Sequence, residues 1–366
     1  MKNVLSSAAA LMCGLAAAAA STSAHAQTSV QVYGIVDSGV AHLTNVNAAG
    51  DSNTKVPSLT SSFPSRIGFK GSEELGGGLQ AFFVLESGLA MDNGSSQQGG
   101  RMFGRAAQVG LKGDWGILTL GRQNNMTYIS GLKTDVLGPH LFAIGSIDPY
   151  LPNARSDNAI GYMGNFNGVV VGATYSFGRD ASAAGGPAAT NCAGEVAGNS
   201  KACRQYTALL GYENKQWGLN ASYDRLNGNT GAAGGLSSPN NTDIRTTVNG
   251  YLMIGPTKIG GGAIDRETNA ATGQTESLLW YLGVSHPVNN FVIDVQAAAR
   301  NTKNSDDDVT MLVARLSYAL SKRTVLYSAI GRMDNDGNSA VALDAGGSVG
   351  AGKTQNGVML GLRHHF

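Results

Sequence analysis

The chain is 366 residues long and close to neutral, with Lys+Arg at 26 against Asp+Glu at 25. That balance gives no support for nucleic-acid binding, which needs a basic face. Glycine numbers 51, roughly twice the usual share, while apolar residues stay abundant and patterned, which excludes both a helical bundle and a disordered chain.

Lys2 is the only charge in the first 26 residues, an Ala/Leu-rich run extends from Ser6 to about Ala20, and Ala24-His25-Ala26 fits the A-x-A rule. Residues 1–26 therefore read as a secretory signal peptide cut between Ala26 and Gln27, and residues 27–366 as the mature domain. Cys13 lies inside the hydrophobic run and follows Met12, which does not suit a lipoprotein signal. Beyond this segment no apolar run approaches the ~18 residues of a spanning helix.

From Ser29 onward the period is two. Val30, Val32, Val36 and Val40 share one face, with Gln31, Tyr33 and Asp37 on the other. Further on, Leu79, Ala81, Phe83 and Leu85 stand opposite Phe82, Val84 and Glu86, and Phe291, Ile293 and Val295 opposite Asp294 and Gln296. Alternation of this kind predicts strands with one apolar and one polar face. Sixteen such segments begin near Ser29, Ser65, Gly78, Arg101, Gly116, Ser156, Gly168, Arg204, Gln216, Asp243, Thr257, Glu276, Asn290, Val309, Thr324 and Gln355.

The connections alternate in length. Long ones cover 43–64, 123–155, 179–203, 227–242 and 335–354; short ones include "KGDWG", "NFN", "NKQ" and "SKR". An even number of strands with long loops at one end and tight turns at the other predicts an all-β fold, a 16-stranded antiparallel transmembrane β-barrel in an outer membrane. Lipid tolerates no unpaired edge, so the sheet must close. A soluble sandwich would not show this asymmetry, and a solenoid would show a fixed repeat. Trp217, Trp280, Tyr175, Tyr212, Tyr223, Tyr318 and Tyr327 lie near strand ends, where aromatic girdles form.

Arginines recur at strand starts: Arg66, Arg105, Arg122 and Arg155. An arginine facing lipid at mid-depth costs roughly 2–4 kcal/mol, so these are expected in the lumen or at the rim. The connection 123–155 is too apolar to hang in water, with Leu137, Leu141, Phe142, Ile144 and Ile147 among its residues. It is expected to fold inward, bringing Asp135 and Asp148 across from the arginines. Cys192 and Cys203 are the lone pair of an exported chain and read as a disulfide closing a surface loop, a gain of roughly 3 kcal/mol or less. No histidine pair has metal-ligand spacing, and no nucleophile elbow or phosphate loop is present, so the sequence proposes no catalytic residues, cofactor or metal.

The stretches "VQVYGIVDSGV" (30–40), "SRIGFKGSEELGGGLQAFFVLESG" (65–88), "GRAAQVGLKGDWGILTLGRQ" (104–123), "LSKRTVLY" (320–327) and "QNGVMLGLRHHF" (355–366) together resemble the trimeric general porins of beta-proteobacterial outer membranes. The resemblance implies a homotrimer with one pore per subunit and a third extracellular loop folded into each as the constriction. It implies a basic wall cluster at Arg66, Arg105 and Arg155 and an acidic wall residue at Glu86. Gln108 departs from the family, where an aromatic is more frequent, and is expected on the outer side between subunits.

The expected function is passive diffusion of small hydrophilic solutes and ions, with mild anion preference. A barrel enzyme, a substrate-specific channel and an adhesin are the alternatives. The closing "GVMLGLRHHF" reads as the last strand, paired with the first, and Phe366 as the aromatic that the barrel-assembly machinery reads. His364 falls on the same outer face with no assigned role.

Overall fold

The structure, a computed structural model, describes residues 29–179, 192 and 194–366. The signal peptide and its cleavage site lie outside them. The long strands are β1 (Ser29–Leu43), β2 (Arg66–Gly76), β3 (Leu79–Gly88), β4 (Ala106–Gly113), β5 (Gly116–Asn124), β6 (Ala159–Phe166), β7 (Val169–Ser176) and β8 (Gln205–Glu213). They continue as β9 (Trp217–Asn227), β10 (Thr242–Ile254), β11 (Thr257–Ala270), β12 (Gly273–Val288), β13 (Phe291–Thr302), β14 (Val309–Ala319), β15 (Thr324–Asn335) and β16 (Gln355–His365). Two short pieces, Asn53–Lys55 and Arg155–Ser156, add to the sheet beside β1 and β5.

Each long strand pairs antiparallel with the next, and β16 returns to β1 in register from Ile35↔His365 to Leu43↔Gly357. The result is a closed 16-stranded barrel. Closure satisfies every ladder hydrogen bond within the sheet, which a sheet in lipid requires. Among the described residues no helix is long and apolar enough to cross a membrane.

Three expected starts are displaced. The strand expected from Arg101 begins at Ala106, because Gly99 and Gly100 turn the chain at φ +77° and +76°. The strand expected from Ser156 begins at Ala159, after a break at Asn158 with φ +45°. The strand expected from Glu276 begins earlier, at Gly273, because a tight hairpin pairs Ala270 with Gly273.

The two faces are inverted relative to a water-soluble protein. Val30, Leu210, Leu282 and Ile330 are 63, 62, 56 and 62% exposed. Their neighbours on the opposite face, among them Asp37, Asp224, Arg245, Asp294 and Gln296, are buried. Apolar residues outside and polar residues inside are the pattern of a barrel in lipid around a wet lumen.

At the seam the chain ends exchange hydrogen bonds, Gly34 N donating to Phe366 O and Phe366 N to Gly34 O, both at 3.1 Å. The Phe366 ring lies against Gly34: a Cβ there would stand 2.3 Å from its Cζ and 2.6 Å from the Arg66 carbonyl oxygen, so only glycine fits. His364 Nδ1 is hydrogen-bonded with Thr324 Oγ1 at 2.9 Å, across the β15–β16 ladder. Cys192 and Cys203 form a disulfide with Cα atoms 5.6 Å apart.

Candidate functional site

On the inner wall a glycine makes the first contact possible. Tyr33 and Glu86 flank Gly68 across the β1–β2–β3 ladder. A Cβ on Gly68 would stand 2.5 Å from the Tyr33 ring, so its absence lets the ring lean over. The Tyr33 hydroxyl then donates to Glu86 Oε2 at 2.9 Å. Arg105 Nε meets the other carboxylate oxygen at 2.6 Å, and Arg66 Nε approaches Oε2 at 3.4 Å. Arg155 is 1% exposed and donates from Nε to the Arg105 carbonyl at 3.0 Å.

The structure thus brings Arg66, Arg105, Arg155 and Glu86 together. Arg122 turns elsewhere: its Nη1 pairs with Asp157, which Arg101 also approaches at 3.7 Å, and its Nε donates to the Gly104 carbonyl at 2.7 Å. Four arginines therefore share two carboxylates along this wall, with Arg155 beside them on a backbone carbonyl. Gln108 is on the inside, correcting its expected position. It pairs with Val84, two residues from the Glu86↔Ala106 pair, so it shares the face of Glu86, while neighbouring Val109 is 54% exposed.

The connection between β5 and Arg155 carries helices α1 (Met126–Gly131) and α2 (Ile144–Ile147). Asn125 caps α1, its Oδ1 accepting from Tyr128 N at 3.2 Å. Leu137, Leu141, Phe142, Ala143, Ile144 and Ile147 bury against Ile264, Leu279, Met311, Val313, Met333 and Met359. Those wall residues alternate with lipid-facing ones, so the loop rests on the inner face of β11 to β16. Sequence reading missed this inner apolar patch because it treated that face as uniformly polar.

Polar anchors tie the same loop down. Arg245 of β10 is 1% exposed, donates to Asp148 at 2.8 and 3.2 Å and to Asp243 at 2.7 Å, and lies 4.3 Å from the Tyr150 ring. Asp148 therefore meets an arginine, but Arg245 rather than the Arg66 group. Among the influences on its carboxyl, burial is largest and raises it, yet Arg245 and Arg266 hold it down at about 2. Asp224 accepts from the Tyr150 hydroxyl at 2.6 Å and from Thr127 at 2.8 Å. Arg315, paired with Asp294 at 2.8 Å, donates to the carbonyls of Leu137 and Val136.

Asp135 accepts from Gln296 Nε2 at 2.8 Å, and burial pushes its carboxyl up to about 6. A cavity of about 300 Å³ lies between loop and wall, and Asp135, Arg66, Tyr128 and Arg315 all line it. The cavity thus holds one acid of altered acidity, with Arg66 and Arg315 also in its lining. Tyr33, Asp157, Arg245 and Arg315 were not singled out from the sequence. The signal available for them was their polar character on an inward alternation position.

A profile of Gram-negative porins matches residues 8–338. The chain belongs to the Gram-negative porin family. Outer membrane porin protein 32 of Delftia acidovorans is 32% identical to this porin over 375 aligned residues, covering 96% of the chain and 98% of the relative. An outer membrane porin protein of Bordetella pertussis is 29% identical, covering 88% and 91%. Among solved structures, an anion-selective porin from Comamonas acidovorans superposes with a TM-score of 0.77 at 26% identity, over 93% of this chain and all of that one. The porin is thus an outer-membrane channel protein, and its family and fold are those of a channel rather than an enzyme.

Proposed function

We propose that the porin is a passive diffusion channel for small hydrophilic solutes and ions, mildly anion-preferring, built as a homotrimer and exported by the signal peptide at 1–26. The observation that carries the reading is the inner-wall group in which Arg66, Arg105 and Arg155 gather with only Glu86 among them. Low-dielectric walls concentrate the field of such a group on the ion path. The loop acid that could oppose it at close quarters, Asp148, is neutralised by Arg245. The likeness to a Comamonas porin described as anion-selective points the same way. Asp135, Arg122 and Glu86 modulate this field, and Phe366 acts at the seam as the aromatic the assembly machinery engages.

Single-channel recording of the purified protein tests the reading. Stable conductance appearing and closing in three equal steps is the expected result. A silent protein, or one that turns over lipid or peptide substrates without conducting, overturns it.

A further inference from the structure

The outward-facing cations at the long-loop end of the barrel are not treated alike. On the outer face of β15, Arg332 is bonded to Asp334 at 2.8 to 3.1 Å. Beside β13, Lys303 is paired with Glu276 at 2.5 Å. Arg225 of β9 has no such partner: its guanidinium makes no hydrogen bond or ion pair with any described residue, although the side chain is half-buried. Glu267, the next acid along its row, is separated from it by Ile244. Arg204, just before β8, meets no carboxylate among the described residues either. It donates to the Ser200 carbonyl, lies 5.8 Å from the centre of the Tyr175 ring, and keeps a buried Nε without a partner.

Both arginines stand among aromatics on the lipid side. Tyr175 pairs with Tyr206, and Tyr206 with Arg225, so three strands place the ring, the ring and the guanidinium in one row. Tyr206 and Tyr223 stack at 6.2 Å, and Tyr175 meets Phe177 at 5.2 Å. The aromatics mark the interface level of the bilayer, where rings sit at headgroup depth. Below them Leu210 and Leu219, 62 and 55% exposed, continue the apolar band.

We propose that this rim of β7 to β9 binds the phosphate groups of a phosphorylated glycolipid in the outer leaflet. Arg225 and Arg204 would engage the phosphate through charge-assisted hydrogen bonds, the tyrosines would flank the sugar, and the acyl chains would lie along Leu210 and Leu219. Charge complementarity selects this occupant: two guanidinium groups at headgroup depth, neither meeting a carboxylate among the described residues, call for an anion that is itself anchored in lipid. The site lies on the outer wall and is separate from the lumen group.

Native mass spectrometry of the full protein, delipidated in detergent, tests the proposal. It would be incubated with a bisphosphorylated lipid A and, separately, with its dephosphorylated form. The wild type is expected to retain the phosphorylated lipid, and Arg204→Gln/Arg225→Gln to retain about tenfold less, the loss of charge-assisted contacts. Arg332→Gln should match the wild type, because Asp334 already meets that charge. Unchanged single-channel conductance shows that the double variant is folded. Should it fail to fold, Arg225→Gln, which removes no internal partner, must still lower retention.

Four results would overturn the proposal. One is equal retention by the double variant. Another is equal retention of the dephosphorylated lipid. The third is displacement of the lipid by millimolar inorganic phosphate, which would mark a free-anion site. The last is loss of oligomer in place of lipid, which would mark a contact between copies.

Discussion

Arg105 and Arg66 converge on one carboxylate, Glu86, at 2.6 and 3.4 Å, so the wall keeps an excess of positive charge. A unit charge about 8 Å from an ion in water contributes roughly 0.5 kcal/mol, a factor of about two in an ion's occupancy. Arg105→Ala should therefore lower the anion-to-cation permeability ratio by roughly that factor or more, read from reversal potentials. Asp135 supplies a second test at this scale. Its carboxyl is pushed up to about 6, so it is charged above that pH and neutral below it. Acidification from pH 8 to pH 5 removes one negative charge from the cavity and should strengthen anion preference, with the change centred near pH 6. The other loop groups stay fixed over this range, Asp148 charged at about 2 and His140 neutral at about 3. Asp135→Asn should hold the low-pH selectivity throughout; a variant that still titrates near pH 6 would remove Asp135 from the account.

The loop between β5 and Arg155 is held by an apolar seat and by one buried arginine serving two acids. Arg245→Ala leaves Asp148 and Asp243 facing each other without their shared partner. Breaking a buried pair in this way costs about 3–5 kcal/mol. Thermal unfolding should start earlier, and open-channel current should become noisier as the loop loosens; unchanged melting and noise would show that the apolar seat and the Asp224 and Arg315 anchors suffice. At the seam, Gly34→Leu forces a side chain into the Phe366 ring, and the yield of folded, heat-resistant barrel should fall. The strands themselves were legible because lipid outside and water inside impose a period of two, and their ends were read from Gly and Asn turns. The loop's seat was not legible. Met311 and Val313 point inward while Leu312 points out, so local periodicity gives no sign of which apolar side chains receive the loop.

For the whole molecule, closure of β1 on β16 removes both edges, and the inverted faces make the barrel stable only around a wet lumen within lipid. The basic residues Arg66, Arg105 and Arg155 could be named from the sequence because arginine is costly on the lipid face at mid-depth. Glu86 came with them through the resemblance, but the pairs Arg122–Asp157 and Arg245–Asp148 were not legible, since they join residues far apart in the chain and depend on barrel curvature. The central claim is that this closed barrel conducts and that its arginine wall sets the sign of its selectivity. The most direct test is the zero-current potential of the purified protein in a planar bilayer under a tenfold potassium chloride gradient. The account predicts the sign of chloride preference, reduced in Arg105→Ala; potassium preference left unchanged by that substitution would contradict it.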